Sequence, residues 1–289
     1  MTRVVRTKAE LRKALAPPRR AGHTIGLVPT MGYLHEGHLS LLRAARERAD
    51  VVVMSLFVNP TQFRPGEDLD AYPRDEVRDL ALAEAEGVDL VFAPAADEVY
   101  PEGFATSVEV AGLTAVLDGD PDRRGAEHFR GVTTVVAKLF NMVGPDLAFF
   151  GQKDAQQAVV IKRMVSDLDF PVEIVIGPTV REPDGLAMSS RNAYLDEGER
   201  ERASALNRAL RRAEEAVAGG ERSVAPVLAA AREELDAAGI EAEYLEARDA
   251  TDLSEVTSFN GRPVLVALAA RVGRARLIDN VVIGGGDSA

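Results

Sequence analysis

The chain has four histidines, and two of them stand three residues apart in His35-Glu36-Gly37-His38. The tetrapeptide lies between a short apolar run, Ile25–Pro29, and a stretch of helical periodicity, Gly37–Ala49. Two imidazoles beside the amino end of a helix suit a polyphosphate. The helix end offers unpaired N–H groups and a positive dipole end, and the rings can donate to oxygens that gain charge as a leaving group departs. Two plainer readings compete. A His pair at this spacing can bind a metal, but no third ligand lies at a usual spacing and His-Glu-x-x-His is absent. Both histidines can also be ordinary surface residues. No G-x-x-x-x-G-K-[ST] and no G-x-G-x-x-G occurs, so a nucleotide site would have to use the histidine segment.

Three further polar clusters follow apolar runs. Asn59-Pro60-Thr61-Gln62-Phe63 follows Val51–Val58, and Gly151-Gln152-Lys153-Asp154-Ala155-Gln156-Gln157 follows Leu147–Phe150. Met188-Ser189-Ser190-Arg191-Asn192 lies beyond Val172–Ile176. Lys153 and Arg191 would bring positive charge for phosphates, while Asn59, Gln62 and Gln157 would hydrogen-bond a small polar substrate. Taken singly, each cluster is also an ordinary turn or cap.

These clusters need a scaffold that gathers them. The runs Ile25–Pro29, Val51–Val58, Asp89–Ala93, Leu147–Phe150 and Val172–Ile176 read as short buried strands. Helical segments at Gly37–Ala49, Asp75–Glu86, Val132–Phe140 and Asp154–Leu168 alternate with them. That alternation predicts an α/β fold, a doubly wound parallel sheet of Rossmann type, with all four clusters at its carboxyl edge. After about Pro178 the pattern changes to a long helix, Glu197–Ala218, a second helix, Val224–Ala238, and strands at Glu243–Arg248, Val264–Arg271 and Arg274–Ile283, the last two forming a hairpin near Gly273. This predicts two domains, 1–178 and a smaller α+β domain 179–289, with a frayed tail at Gly284–Gly286.

Composition bounds the partners. The 289 residues include 34 Lys+Arg against 46 Asp+Glu, a net charge of −12. An acidic chain argues against nucleic acid and against an anionic membrane surface, both of which need a basic face. There is no cysteine, which excludes disulfides, thiolate metal sites and a Cys nucleophile and accords with a reducing compartment. The first fifteen residues contain no apolar core of a signal peptide, and no run approaches a membrane span, so a cytoplasmic protein is expected. The acids concentrate in stretches such as Glu67–Asp79 and Glu197–Glu215, read here as exposed helical surface.

The segment Pro29-Thr30-Met31-Gly32-Tyr33-Leu34-His35-Glu36-Gly37-His38 resembles the signature of the pantoate–β-alanine ligase (pantothenate synthetase) family. So do Phe57 through Phe63, His128-Phe129-Arg130-Gly131-Val132, the Lys153-Asp154 cluster, and Asp184 through Asn192. The matches run in order along nearly the whole chain. His-x-Gly-His alone marks only a broad nucleotidyltransferase superfamily; the combination is far more specific.

The resemblance implies an ATP-dependent condensation of pantoate with β-alanine. ATP and pantoate, with Mg²⁺, give pantoyl adenylate and pyrophosphate; the amine of β-alanine then gives pantothenate and AMP. It implies a cytoplasmic homodimer serving coenzyme A synthesis, with the smaller domain closing over the site. Met31, Gly32, Tyr33, Leu34, His35, Glu36, Gly37 and His38 would line the ATP site, His38 donating a proton with His35 beside it on the phosphates. Gln62 and Gln157 would hold pantoate, with Asn59 close by. Gly151, Gln152, Lys153 and Asp154 would contact the nucleotide, Lys153 on phosphate. Val180 would offer backbone contacts to adenine, and Met188, Ser189, Ser190 and Arg191 would form a mobile phosphate clamp.

Four departures stand out. Gln152 replaces the family's usual acid, and Ala155 an often aromatic residue. The segment from Tyr72 to Asp79 is where the family carries acids that approach Mg²⁺; position 78 is Arg78, leaving Asp79 as the one metal candidate there. The spacing from Arg124 to His128 is one residue longer than usual, which puts a role for Arg124 in doubt. Two other readings remain at this point: a different His-x-Gly-His nucleotidyltransferase, such as a phosphopantetheine adenylyltransferase, and a nucleotide-binding regulatory protein without catalysis.

Overall fold

A computed structural model of the chain describes residues 2–64 and 69–284. The expected fraying at Gly284–Gly286 lies outside the described residues beyond 284, as do positions 67 and 68 of the acidic stretch. In chain order the elements are β1 (Arg3–Val5), α1 (Lys8–Arg20), β2 (Ile25–Thr30), α2 (Glu36–Arg48), β3 (Val51–Leu56), α3 (Glu76–Ala85), β4 (Leu90–Phe92), α4 (Ala96–Val99), α5 (Gly125–Val143), β5 (Leu147–Gly151), α6 (Ala155–Asp167) and β6 (Glu173–Gly177). They continue with α7 (Glu197–Ala203), α8 (Ala205–Ala218), α9 (Val224–Ala237), β7 (Ala242–Asp249), β8 (Val264–Val272) and β9 (Ala275–Ile283). The chain divides into two compact units, Met1–Gly151 with Val160–Pro178, and Gln152–Val159 with Thr179–Ala289.

The first unit is built on a parallel sheet of order β1-β4-β3-β2-β5-β6. The strands are apolar on both sides because both sides are covered. Ile25, Leu27, Val53, Phe92 and Phe150 pack with Leu11 and Leu15 of α1, with Phe129, Val132, Val136 and Phe140 of α5, and with Val160, Ile161 and Met164. Val28, Val52, Met54, Val91 and Phe149 pack on the opposite face with Leu41, Leu42 and Ala45 of α2 and Ala83 of α3. The α5 stripe read from Val132, Val135, Val136, Leu139 and Phe140 is buried along its length.

The order in which strands are added reverses at β2, whose neighbours are β3 on one side and β5 on the other. β2 and β3 pair along six residues. β2 and β5 pair only through Gly26↔Leu147 and Leu27↔Ala148, although β2 continues to Thr30 and β5 to Gly151. The ladder therefore ends where both strands run on toward their carboxyl ends. This is the switch point at which open α/β sheets hold ligands.

The second unit places α8 and α9 on one face of the antiparallel sheet β7-β8-β9. Leu206, Leu210, Val227, Ala231 and Leu235 meet Leu245, Val264, Val266, Leu268 and Leu277 there. The expected hairpin at Gly273 joins β8 to β9.

Two sequence expectations are corrected, and one segment holds elements to which the sequence reading assigned none. β1 and most of α1 lie within the first fifteen residues; β1 is only three residues long and is defined by pairing with β4. The single helix expected over Glu197–Ala218 is two, meeting at Ser204, whose hydroxyl donates to the Glu201 carbonyl at 2.6 Å and so competes with the helix's own bonding. The acidic stretch ending at Asp79 is not uniformly exposed helix. α3 begins only at Glu76, and Asp79 is 1% exposed because two backbone N–H groups draw it inward.

Candidate active site

The segment from Thr30 to His38 turns the carboxyl end of β2 into the amino end of α2. Thr30 donates through its hydroxyl to the Ser55 carbonyl at 2.8 Å, tying the last residue of β2 to β3. Gly32 and Tyr33 then take positive φ, +84° and +51°. At Gly32 a Cβ would lie 2.8 Å from a Leu56 methyl and 2.9 Å from Asp79 Oδ2, so the position requires glycine on two counts. The N–H groups of Tyr33 and Leu34 donate to Asp79 Oδ2 and Oδ1, each at 2.7 Å.

His35 is the N-cap of α2, and the two histidines form its capping box. Gly37 N–H donates to His35 Nδ1 at 3.2 Å, and His35 N–H donates to His38 Nδ1 at 3.3 Å. An accepting Nδ1 carries no proton, so each neutral ring carries its proton on Nε2. The ring centroids are 4.1 Å apart at an interplanar angle of 41°. The spacing that placed both rings on one face thus does more than group them: each ring's inner nitrogen caps the helix and its outer nitrogen is a donor. Glu36, in the same motif, turns to an ion pair with Arg43.

Asn59 is 1% exposed and bonded on both ends. Its Oδ1 accepts from the Thr61 N–H at 3.3 Å, the Thr61 hydroxyl at 2.9 Å and the Tyr100 hydroxyl at 2.8 Å. Its Nδ2 donates to Gln62 Oε1 and to the Gly131 carbonyl, both at 3.1 Å. Burial raises the Tyr100 pKa above the ordinary phenol value, the bond with Thr61 opposing this, so the hydroxyl keeps the proton it donates. Asn59 therefore builds the turn that presents Gln62, and Gln62 Nε2 reaches Met31 Sδ at 3.1 Å. The structure thus brings Met31, Asn59 and Gln62 together.

Two residues under this turn were quoted in the motif without a role. His128 Nδ1 lies 2.8 Å from the Gln62 carbonyl oxygen. Gly131 lets α5 approach the turn, since a Cβ there would stand 2.4 Å from the Thr61 carbonyl oxygen. The signal for both was available: a His and a Gly three apart on the otherwise apolar face of a helix.

In the second unit, Gln152, Lys153 and Asp154 form a single 3-10 turn directly after β5. Asn280 of β9 donates through Nδ2 to the carbonyls of Gln152 at 3.0 Å and Lys153 at 2.9 Å, and Gln152 Nε2 donates back to Asn280 Oδ1 at 3.0 Å. The departure at position 152 gains a reason, because a carboxylate there could not make that return bond. Lys153 Nζ stands 3.8 Å from Asp154 Oδ1, and Gln157 follows, half-buried, in α6.

Val180 and Met188 are brought side by side, Met188 N–H donating to the Val180 carbonyl at 3.0 Å. The loop between them is pinned by Arg181, which forks onto Asp279 at 2.6 and 3.0 Å and also donates to the Gly185 carbonyl at 3.1 Å. Asp279 is 2% exposed; burial raises its pKa, and the Arg181 guanidinium opposes that rise. Ser189 caps the 3-10 helix Ser190–Tyr194 by accepting from Arg191 N–H at 3.2 Å. Asp279 and Asn280 were missed by the sequence reading, although an acid in step with Ala275 and Leu277 on the buried face of β9 was a visible signal.

Among the described residues, no three His, Asp or Glu side chains are grouped so as to hold a metal ion. The metal candidate Asp79 has both oxygens engaged by backbone N–H groups. No helix of the described residues is long and apolar enough to cross a membrane.

Comparison with known proteins accords with this geometry. The family described as pantoate–β-alanine ligase matches residues 3–282. A pantothenate synthetase from Moorella thermoacetica is 57% identical over 281 residues, covering 97% of this chain and 98% of that protein. The crystal structure of pantothenate synthetase from Thermus thermophilus superposes with a TM-score of 0.91 at 50% identity, covering 98% of this chain and all of that one. A pantoate–β-alanine ligase from Francisella tularensis, solved as a complex with β,γ-ATP and β-alanine, gives 0.79 at 31% identity, covering 98% of each chain. Matches of this length to ligases leave neither a different nucleotidyltransferase nor a non-catalytic binding protein as a competing reading. The chain is a ligase and belongs to the pantoate–β-alanine ligase family.

Proposed function

We propose that the chain joins pantoate to β-alanine in two steps through a pantoyl adenylate. A pantoate carboxylate oxygen attacks the α-phosphorus of ATP, the bond to the bridging oxygen breaks, and pyrophosphate leaves with the electron pair. The neutral amine of β-alanine then attacks the acyl carbon. AMP leaves, the nitrogen loses a proton, and pantothenate is formed. Such chemistry asks the protein for positioning and for donors aimed at growing charge.

The observation that carries this reading is the two-histidine cap at the carboxyl end of β2, beside the point where the β2–β5 ladder stops. The Nε2–H of His38 donates to the phosphate oxygens as pyrophosphate departs, with His35 beside it. Met31, Gly32, Tyr33 and Leu34 line the nucleotide, and Gln62 and Gln157 hold pantoate. Lys153 and Arg191 serve phosphates, Gly151, Gln152 and Asp154 the nucleotide, Val180 adenine, and Met188, Ser189 and Ser190 the clamp. Mg²⁺ arrives with ATP. The described residues offer it no protein cage, and Mg²⁺ commonly keeps its waters and substrate phosphates as ligands. The same reading makes the enzyme a cytoplasmic homodimer whose product feeds coenzyme A synthesis, in keeping with the absence of cysteine.

The test is isotope exchange between ATP and pyrophosphate. Exchange is expected to require pantoate and Mg²⁺ but not β-alanine, and His38→Ala is expected to lower it by about 100-fold or more while ATP binding changes only a few-fold. Exchange without pantoate would refute the adenylate, and full exchange in His38→Ala would remove that residue from the step.

A further inference from the structure

Asp79 is the third acid of the segment that opens α3, after Asp75 and Glu76, and the only one of the three that is buried. A buried carboxylate must be hydrogen-bonded or paired. Here both oxygens are used, Oδ2 by Tyr33 N–H and Oδ1 by Leu34 N–H at 2.7 Å each. Arg78 Nη1 stands 3.9 Å from Oδ1, and the same guanidinium lies over the Tyr33 ring, 5.4 Å from its centroid. The first turn of α3 adds the positive end of a helix dipole.

These contacts meet a backbone that needs holding. Gly32 and Tyr33 are consecutive residues of positive φ, and Tyr33 has a Cβ that makes this conformation unfavourable. The next residue but one is His35, whose extended backbone starts α2 and whose Nδ1 accepts from Gly37. Whatever fixes the peptides of Tyr33 and Leu34 also fixes the direction in which the chain enters the two-histidine cap.

We infer that Asp79 is a positioning residue, whose carboxylate holds the Met31–Leu34 loop in its left-handed turn and thereby aims the imidazoles of His35 and His38, and that it is not a metal ligand. The inference rests on the function proposed above for those histidines, and it departs from the metal role that the family resemblance offered. Both oxygens already accept short hydrogen bonds, and no further His, Asp or Glu pair joins Asp79 in a metal-binding group among the described residues. A Mg²⁺ ligand must instead turn an oxygen toward an octahedral ion at about 2.0–2.1 Å.

The experiment pairs an amide-exchange measurement with a Mg²⁺ titration on the full chain, comparing the parent, Asp79→Asn and Gly32→Ala. In Asp79→Asn an NH₂ faces one of the two backbone N–H groups. In Gly32→Ala a methyl is pressed against Asp79 Oδ2 with the carboxylate intact. The Tyr33 and Leu34 amides are expected to be protected from hydrogen exchange in the parent and to exchange at least about tenfold faster in Asp79→Asn, whatever reaction the protein catalyses. Pantoate-dependent ATP–pyrophosphate exchange is expected to fall at least about tenfold in kcat in both variants, with the half-saturating Mg²⁺ concentration within about twofold of the parent. A half-saturating Mg²⁺ concentration raised tenfold in Asp79→Asn, with kcat recovered at high Mg²⁺, would overturn the inference in favour of a metal ligand. Unprotected Tyr33 and Leu34 amides in the parent would also overturn it. If Asp79→Asn does not fold, Gly32→Ala decides, and a parent-like kcat there overturns the inference. A parent without pantoate-dependent exchange would refute the proposed reaction alone, since the amide measurement still decides whether Asp79 holds the loop.

Discussion

His128 Nδ1 lies 2.8 Å from the carbonyl oxygen of Gln62, and because a carbonyl can only accept, the imidazole donates there. His128 thus holds from below the same turn that Asn59 ties from within. Replacing it by Ala leaves the Gln62 carbonyl without that donor. A bond of about 0.5–1.5 kcal/mol corresponds to a rise of roughly two- to tenfold in KM for pantoate. ATP binding is expected to change little, and steady-state kinetics with each substrate varied will show whether the loss is confined to pantoate. An equal loss for ATP would contradict this assignment.

Gly131→Ala offers a test of sign. In an exposed helix the change from Gly to Ala stabilises by up to about 1 kcal/mol. Here the new methyl would meet the Thr61 carbonyl oxygen at 2.4 Å, and backbone cannot swing aside as a side chain can. A loss of about 1–3 kcal/mol is expected instead, read as a lowered Tm, together with a raised KM for pantoate. A more stable variant would show that α5 and the Asn59–Gln62 turn do not depend on this close approach.

Asn280→Asp keeps the shape of the side chain and removes its donor. Two carbonyls, those of Gln152 and Lys153, would then face a carboxylate oxygen in place of an N–H. Each unpaired group costs about 1–3 kcal/mol, so the Lys153 turn is expected to shift and ATP–pyrophosphate exchange to fall about tenfold or more. Parent-like kcat and KM for ATP would show that the turn holds its shape without β9.

Asp249 supplies a prediction in pH. Its pKa is lowered below the ordinary carboxylate value, first by the bond from the Thr251 hydroxyl and then by that from the Thr251 N–H. A depressed pKa in the folded state stabilises the fold above the unfolded value, and that contribution is lost as pH falls through the folded value. Asp249→Asn is expected to cost about 1 kcal/mol near neutral pH, because a charge-assisted bond becomes a neutral one. The difference from the parent should shrink as pH drops below about 3.9, the unperturbed value. Denaturant melts at several pH values measure it; a difference that grows toward acid pH would contradict the sign.

The scaffold was legible where a segment carried its own pattern. β3 and α5 announce themselves by a nearly all-apolar run and by a complete stripe, and the histidine segment by its position between strand and helix. β1 was hidden, since three residues cannot show a period and their reason for being a strand is β4, far along the chain. α1 did carry a start signal in Thr7-Lys8-Ala9-Glu10, a capping box that the structure forms, but Pro17 and Pro18 break the pattern that should follow it. The donor groups of the candidate site were proposed from residue type alone. Of the residues that aim them, His128 interrupts an apolar helix face and so shows in the sequence, but what Asp79, His128 and Asn280 hold does not, because they act through backbone atoms of Tyr33, Leu34, Gln62, Gln152 and Lys153, and backbone contacts leave no mark on residue type.

The histidine tautomers make the molecule its own reporter. His35 and His38 carry their protons on Nε2, because each Nδ1 caps α2, while His128 carries its proton on Nδ1, because a carbonyl sits there. Nitrogen-15 spectra distinguish the two kinds of ring. Among the four imidazoles of one sample, those of His35 and His38 should therefore be of one kind and that of His128 of the other, and this contrast should collapse as soon as the helix cap or the Gln62 turn lets go, before any substrate is added.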